Sequence, residues 1–426
     1  MRRVLALASA VALGAALAAA RPPADAASLH PFTDEEVARI LSLGPWPSPP
    51  ARDPSNRVSG SASAAELGRL LFFDAGLSAT GTLSCASCHD PRRGFTDGLA
   101  RAQGIARHDR NAQGLLDVAR QRWFGWDGGA DSLWAASVRP LLAPGEMGSS
   151  AARVAARIAG EPRLRAAYGL AFGVDPGEAG RPGAVDAVLA DAAKAIAAFL
   201  ETLASPRTAF DEFRDALAHQ DAAAIARYPA DAQRGLKVFV GRGNCWVCHF
   251  GPGFSNGEFH DVGMPFVVEP GRVDPGRYAG IQRVRGDRFN LLGAFNDQRA
   301  QPDAPGQAAS LKTATVNLQH RNWGEWRTPS LRGLGATAPY MHDGRLATLR
   351  DVVRHYSELN EDRLHADGEA LLKPLRLTEA EIDDLLVFLG TLDPPAGTRG
   401  EAGAPAPSRP AGPSPVTPNT PGSTAR

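Results

Sequence analysis

The chain has 426 residues, 43% of them hydrophobic, which is enough for two or three domains that each bury a core. Its 46 basic residues match its 46 acidic residues, and this balance argues against a protein that binds nucleic acid or charged membrane surfaces. Only 4 cysteines occur, and they form two close pairs rather than the dispersed pattern of a disulfide framework.

The N-terminus has the organisation of a signal peptide. Arg2 and Arg3 precede an apolar run over residues 4–20, and the small residues Ala24 and Ala26 follow it. This pattern predicts a signal peptide over residues 1–26 and export to the periplasm. The alternative is a retained anchor, although an alanine-rich run of about 17 residues is marginal for a membrane span. The rest of the chain contains no long apolar run, so we expect it to be soluble.

Residues 27–63 are predicted to form an N-terminal wrap. Many prolines make this segment mostly irregular, because proline removes a backbone donor and restricts its neighbour. One short helix is expected to begin at Thr33, since Thr33 and Glu36 have the spacing of a capping box.

Two larger units follow, a first domain over residues 64–204 and a second over residues 230–392. The first ends in apolar residues with helical spacing over residues 185–203, and the second ends in a helix that a capping box opens at Thr378. The tail, residues 394–426, is rich in Pro, Gly, Ala, Ser and Thr and is predicted to be disordered.

The two units contain an internal repeat, which indicates two related folding units. Each unit has one Cys-x-x-Cys-His motif, and similar segments lie before and after both motifs. The matching segments are Leu67-Gly68-Arg69-Leu70-Leu71-Phe72 with Arg234-Gly235-Leu236-Lys237-Val238-Phe239, and Gly94-Phe95-Thr96-Asp97-Gly98 with Gly253-Phe254-Ser255-Asn256-Gly257.

The Cys-x-x-Cys-His pattern is suited to covalent haem c. Two thiols about one helical turn apart reach the two vinyl groups of one porphyrin edge, and the adjacent histidine binds the iron as its proximal ligand. A zinc site that pools ligands from both motifs is an alternative, as are two disulfides, although neither disulfide gives the histidine a role. The prediction is one haem c on Cys85, Cys88 and His89, and a second on Cys245, Cys248 and His249.

The predicted fold class is mostly α, with two cytochrome c-like haem domains, long loops and little β structure. The periodic segments have helical spacing, and alternating strand patterns are scarce. The 45 glycines and 34 prolines fit long loops that wrap around flat cofactors better than they fit a compact helical bundle.

The chain resembles the bacterial dihaem cytochrome c peroxidases and their MauG-like relatives over about residues 64–392. Besides the two haem motifs, the resemblance rests on an ordered set of segments. They are Asp90-Pro91, Gly94-Phe95-Thr96-Asp97-Gly98, Arg110-Asn111, Trp126-Asp127-Gly128, Pro144-Gly145-Glu146-Met147, Arg327-Thr328-Pro329-Ser330-Leu331 and Thr337-Ala338-Pro339-Tyr340-Met341-His342-Asp343-Gly344.

Within this family the chain is most similar to the MbnH-type enzymes, which act with copper-associated proteins of the MbnP type. This finer similarity lies in the lead-in and in one later segment. The residues are Phe32-Thr33-Asp34-Glu35-Glu36, Gly44-Pro45-Trp46-Pro47, Asp53-Pro54-Ser55-Asn56-Arg57-Val58-Ser59-Gly60 and Asp131-Ser132-Leu133-Trp134.

The resemblance implies that the haem on His89 reacts with peroxide and is open on its distal side, with Glu146 as the distal acid/base. Where family members have a distal glutamine, this chain has Ala136, so a glutamine-dependent step is in doubt. In some family members a histidine blocks the first haem at rest. That histidine lies further along the sequence from the asparagine that binds calcium, which is Asn111 in this chain, than His108 does here. The first haem is therefore expected to be open.

The resemblance also implies roles between the two haems. Trp126 is expected to lie between them and to couple them electronically, the alternative being an ordinary core tryptophan. A calcium ion is expected to bind the side chain of Asn111 and the main-chain carbonyls of Thr337 and Pro339, since oxygen ligands suit a hard cation.

The sixth ligand of the second haem separates two branches of the family. Peroxidases have methionine at this position, MauG-like enzymes have tyrosine, and the matching residue here is Tyr356. Tyrosinate stabilises ferric and higher oxidation states. His355 and Met341 are the competing ligands.

Two functions follow from the resemblance. The first is a MauG-like oxidase in which hydrogen peroxide generates a high-valent haem pair. This pair is expected to oxidise a tryptophan of an exported copper-associated partner of the MbnP type. The second is a cytochrome c peroxidase that reduces peroxide with electrons from a small cytochrome or cupredoxin. Tyr356 favours the first. Glu146 argues against a third function, a simple electron carrier.

Overall fold

The computed structural model describes residues 30–47, 52–178, 183–300, 308–368 and 371–395. The predicted signal peptide (residues 1–26) and the predicted tail from residue 396 onwards lie outside the described residues. Within the described ranges, no helix combines the length and the apolar composition needed to cross a bilayer.

The described residues are mostly helical, which confirms the predicted fold class. Short 3-10 turns and long loops connect the helices. The helices are α1 Asp34–Ser42, α2 Ala62–Phe72, α3 Cys85–Cys88, α4 Leu133–Leu142, α5 Ala151–Gly160, α6 Pro162–Phe172, α7 Ala184–Leu200, α8 Ala209–His219, α9 Ala222–Arg227, α10 Ala230–Val240, α11 Arg277–Gly286, α12 Ala308–Thr315, α13 Leu349–Ser357 and α14 Glu379–Gly390.

Extended structure in the described residues is limited to two small antiparallel sheets, β1 with β4 and β2 with β3. In the first sheet, Phe259 pairs with Arg327 and Asp261 pairs with Glu325, so a loop near the second haem motif is joined to a distant segment. The strands are β1 Phe259–Asp261, β2 Val267–Glu269, β3 Arg272–Val273 and β4 Glu325–Arg327.

Two glycines allow the same helix crossing in each half of the molecule, the first half being residues 64–204 and the second residues 230–392. Helix α2 crosses α7 and α10 crosses α14, and both crossings bring backbone against backbone. A Cβ atom at Gly68 would lie 1.9 Å from the carbonyl oxygen of Ala195, and one at Gly235 would lie 2.0 Å from that of Asp384. No side chain fits at either position. The repeated glycine of the sequence is therefore a packing requirement.

The repeated phenylalanines form matching aromatic clusters beside these crossings. Their rings meet tilted or edge-on, as aromatic pairs prefer. The ring centroids of Phe72 lie 6.2 Å from Phe95 and 5.3 Å from Phe199, and those of Phe239 lie 6.0 Å from Phe254 and 5.1 Å from Phe388.

Each of the two larger hydrophobic cores includes residues from a distant part of the chain. Helices α1, α8 and α9 pack into the core of the second half, although α1 belongs to the N-terminal wrap. Phe289, from the loop after α11, lies instead in the core of the first half. Lys194 reinforces this exchange, because its buried ammonium group contacts Asp297 at 2.6 Å.

The predicted helix starts are confirmed where capping boxes were recognised. Thr33 caps α1 with Glu36, and Thr378 caps α14 with Glu381. The helix with apolar periodicity near residue 185 is α7, and it is buried over most of its length.

Candidate active site

The first Cys-x-x-Cys-His motif opens onto a cavity of about 510 Å³. Helix α3 is a single turn that holds Cys85 and Cys88 on the cavity wall, and His89 follows directly after it. Glu146 and Trp126 lie on the same wall. The volume is within the range of sites that enclose small molecules and cofactors.

A backbone carbonyl orients the imidazole of His89. Its Nδ1 donates a hydrogen bond to the carbonyl oxygen of Phe95 at 2.9 Å, and Phe95 reaches this position with a left-handed backbone (φ 62°). Burial lowers the pKa of His89, so the ring is neutral near pH 7. A neutral ring that donates through Nδ1 keeps the lone pair of Nε2 for a metal.

The second motif repeats this arrangement at a cavity of about 300 Å³, on whose wall Cys245, Cys248 and His249 lie. The Nδ1 atom of His249 donates to the carbonyl oxygen of Phe254 at 2.9 Å, and Phe254 again has a positive φ of 51°. Burial lowers the pKa of His249 to about 4.

The residues on both cavities fit covalently bound haem c. No disulfide joins the described cysteines, and burial raises the pKa of the Cys85 thiol to about 12 and that of Cys88 to about 11. Each cavity thus has the two cysteine thiols and the histidine of one motif on its wall. In the part of the chain that is described, no cluster of three or more potential metal ligands includes a residue of either motif, which removes the pooled zinc site.

Trp126 lies on the walls of both cavities. Its indole Nε1 donates to the carbonyl oxygen of Asn111 at 3.0 Å, and its own carbonyl accepts from the backbone nitrogen of Arg327 at 2.9 Å. These hydrogen bonds hold in place a residue that borders both cavities.

Glu146 lies on the first cavity in the loop that follows α4, and Ala136 of α4 lies on the same wall. The nearest positive charge is Arg139, whose Nη2 atom is 3.8 Å from Oε1 of Glu146. The side chain of Glu146 is about a quarter exposed. His108 also lines the cavity, where its Nε2 is 3.2 Å from the carbonyl oxygen of Gly145.

A buried network of ion pairs lies at the wall of the first cavity. The sequence did not predict it. Asp127, next to Trp126, contacts Arg110 at 2.7 Å and Arg283 at 2.6 Å, and Arg110 also contacts Asp274 at 2.6 Å. Burial alone raises the pKa of Asp127, but the two arginines outweigh this and hold it well below its ordinary value. Arg110 and Asp127 both belong to segments that carry the family resemblance, but nothing in the sequence marked them as an ion pair.

Two glutamines on the cavity walls were also missed. Gln113 and Gln121 line both cavities, and the side-chain Oε1 of Gln121 is buried with no hydrogen-bond partner among the described residues. Neither residue occupies the position of the family's distal glutamine, which is Ala136 in this chain.

Tyr356 of α13 lies on the wall of the second cavity. Burial, together with the nearby Cys248 and Cys245, raises the pKa of its phenol, so a tyrosine without a bound cation stays protonated. Of the competing ligands, Met341 lines the cavity. His355 does not, and its Nε2 donates to the carbonyl oxygen of Val262 at 2.7 Å.

Asn111, Thr337 and Pro339, the residues expected to bind calcium, all line the second cavity. The amide Nδ2 of Asn111 donates to the carbonyl oxygen of Leu99 at 2.7 Å, which leaves Oδ1 as the acceptor available to a cation. A set of one amide oxygen and carbonyl oxygens fits Ca²⁺.

Two cavities, each with a Cys-x-x-Cys-His motif and joined by one tryptophan, define the class of two-haem c-type proteins. Comparison with known proteins identifies the family within that class. A family model described as di-haem cytochrome c peroxidase matches residues 62–219. The methylamine utilization protein MauG of Methylorubrum extorquens is 34% identical over 328 residues, which cover 76% of this chain and 77% of that protein.

Two further comparisons agree. Cytochrome-c peroxidase IdrP2 of Denitromonas iodatirespirans is 32% identical over 339 residues, covering 78% of this chain and 82% of that protein. A crystal structure of a MauG-like protein associated with microbial copper homeostasis matches with a TM-score of 0.60 and 28% identity, over 84% of this chain and 98% of that one. The chain belongs to the di-haem cytochrome c peroxidase family of haem-dependent, peroxide-using oxidoreductases.

Proposed function

We propose that this protein is a MauG-like oxidase that uses hydrogen peroxide to oxidise a residue of a partner protein. Its cofactors are two haem c groups, on His89 and on His249, and one calcium ion. The observation that carries the proposal is that Tyr356 lies on the second cavity, whose wall shares Trp126 with the first cavity. A tyrosine ligand favours a site that retains oxidising power, whereas a methionine ligand favours one that accepts electrons.

Bound haem supplies the redox chemistry of peroxide reduction, and the chain's own residues control protons and access. Glu146 takes a proton from one peroxide oxygen and returns it to the other, which assists cleavage of the bond between them. Arg139 orients the carboxylate from 3.8 Å away. Asn111 holds the indole of Trp126 between the cavities, and the Asp127 ion network fixes the backbone beside it.

The partner is proposed to be an exported copper-associated protein of the MbnP type, oxidised at a tryptophan. The similarity to a MauG-like protein associated with microbial copper homeostasis supports this choice. The apolar N-terminal segment with its small-residue exit supports export to the periplasm.

A second candidate function is peroxide reduction with electrons from a small cytochrome or cupredoxin. Met341 on the second cavity and the relatives named cytochrome-c peroxidase favour it. The two functions are tested by giving the holoprotein peroxide with either reduced cytochrome c or an exported copper-associated protein of the MbnP type. Oxygen added to a partner tryptophan, seen by mass spectrometry, supports the first, and rapid cytochrome oxidation without such a product supports the second.

The two cysteine pairs are each expected to attach one haem. The mature protein should carry the mass of two haems, and replacing Cys85 and Cys88 by serine, or Cys245 and Cys248 by serine, should remove one. Intact-mass spectrometry measures this directly. A wild-type mass without haem, or a Soret band that neither double variant weakens, contradicts both attachment sites.

The first haem is expected to be open and high-spin in the oxidised protein. His108 lines the first cavity, but its Nε2 faces the carbonyl oxygen of Gly145, so we expect it to leave the iron accessible. EPR of the oxidised holoprotein should show one high-spin ferric signal, and His108→Gln should leave that signal unchanged. A spectrum with low-spin haem alone would overturn this expectation.

A further inference from the structure

A cluster of metal-binding side chains lies on the surface outside both cavities. His320 is in a 3-10 turn before β4, and His365 and Asp367 are in the loop that follows α13. The Nδ1 atom of His320 is 3.1 Å from Oδ2 of Asp367, and the two imidazole rings meet edge-on with centroids 4.8 Å apart. One potential ligand atom from each residue lies within 4.8 Å of the other two.

We propose that His320, His365 and Asp367 bind a divalent transition-metal ion such as Zn²⁺ or Cu²⁺. Two imidazole nitrogens and one carboxylate oxygen are ligands that these ions accept, whereas Ca²⁺ and Mg²⁺ prefer sets made of oxygen alone. Ligand atoms about 2 Å from a tetrahedral zinc ion lie closer together than 4.8 Å. Binding therefore requires the side chains to move together, and those of His320 and Asp367 are exposed.

The site is open to solvent and is partly preorganised. The side chains of His320 and Asp367 are 74% and 63% exposed, so an ion can enter and a fourth coordination position remains for water. The backbone nitrogen of His365 donates to Oδ2 of Asp261 in β1 at 2.6 Å, which anchors the loop. That of Asp367 donates to Nδ1 of His365 at 3.3 Å, a hydrogen bond that must break for either ring nitrogen to offer its lone pair to the ion.

A bound ion would cross-link segments that are far apart in sequence, since His320 and Asp367 are 47 residues apart. The loop containing His365 connects α13, which carries Tyr356, to residues 371–375, several of which line the second cavity. We therefore expect the ion to restrain the residues among 371–375 that line the second cavity. This inference is independent of the proposed oxidase function, because none of its ligands lies on either cavity.

The test uses the holoprotein with both haems attached and with excess calcium present. After chelation of transition metals, Zn²⁺ or Cu²⁺ alone is titrated and bound metal is measured by equilibrium dialysis. The variants His320→Ala and His365→Ala should each weaken binding about 100-fold or more, and Asp367→Asn should weaken it about 10- to 100-fold. His219→Ala, which removes an exposed histidine on α8, should bind like the wild type.

Hydrogen exchange gives a second readout that does not depend on activity. Zn²⁺ should slow exchange in residues 358–368 of the wild type and leave it unchanged in His365→Ala. An unchanged Soret band in each variant shows that the haem sites are intact. Wild-type affinity in all three ligand variants, or no binding of either ion to the wild type, would overturn the site and leave only a surface contact between histidines and a carboxylate.

Discussion

Replacing Glu146 by glutamine is expected to slow the reaction of the holoprotein with hydrogen peroxide by about 10²- to 10⁴-fold. Glutamine keeps the shape of the side chain but cannot carry a proton between the two peroxide oxygens. Ala136, on the wall of the same cavity, offers no substitute donor or acceptor in its side chain. Stopped-flow absorbance of the Soret band measures the rate.

The Asp variant separates proton transfer from packing. Glu146→Asp keeps the carboxylate but shortens its reach, so its rate should lie between those of the wild type and Glu146→Gln. Both variants should retain two haems and an unchanged resting EPR spectrum, since Glu146 is not an attachment residue. If Glu146→Gln reacts at the wild-type rate, the proton passes through another group, and His108 on the cavity wall becomes the residue to examine.

Local chemistry was predictable from the sequence because its residues are close together along the chain. The motif from Cys85 to His89 sets thiols and imidazole within one turn, and Thr33 with Glu36 marks a helix start over four residues. The repeat around Gly68 and Gly235 also indicated duplication. The sequence could not show why glycine is required at position 68. The carbonyl oxygen that excludes a side chain there belongs to Ala195 on another helix.

Features that depend on long-range packing were not predictable in this way. Asp127 meets Arg283 more than 150 residues away, and nothing in either segment marks the other as its partner. The exchange of Phe289 into the core of the first half has the same origin, because apolar periodicity shows which face is buried and not which core receives it.

Tyr356 was identified only through the family resemblance, because in α13 it has no local signal of its own. The structure places its phenol at the second cavity and turns the neighbouring His355 towards Val262. Burial raises the pKa of Tyr356, so an uncoordinated phenol is neutral at pH 7 and well above it. A phenolate at this position therefore needs a bound cation, and its spectrum reports ligation directly.

Tyr356→Met is expected to convert the second haem to histidine–methionine ligation, raise its reduction potential and abolish oxidation of the partner residue. The raised potential favours electron entry, so turnover with reduced cytochrome c should increase. Tyr356→Phe should remove the ligand and the phenolate spectrum without supplying a replacement. Redox titration, EPR and mass spectrometry of the partner after peroxide treatment measure these effects.

Tyr340→Phe is the matched control, since Tyr340 lines the same cavity but donates its hydroxyl to the carbonyl oxygen of Leu334 at 3.0 Å. It should retain the wild-type spectrum of the second haem and the wild-type yield of oxidised partner. If instead Tyr356→Phe retains both, then Tyr356 is not the ligand. Met341, which lies on the same wall, then becomes the leading candidate, and a methionine ligand makes peroxide reduction with an external electron donor the better account of this protein.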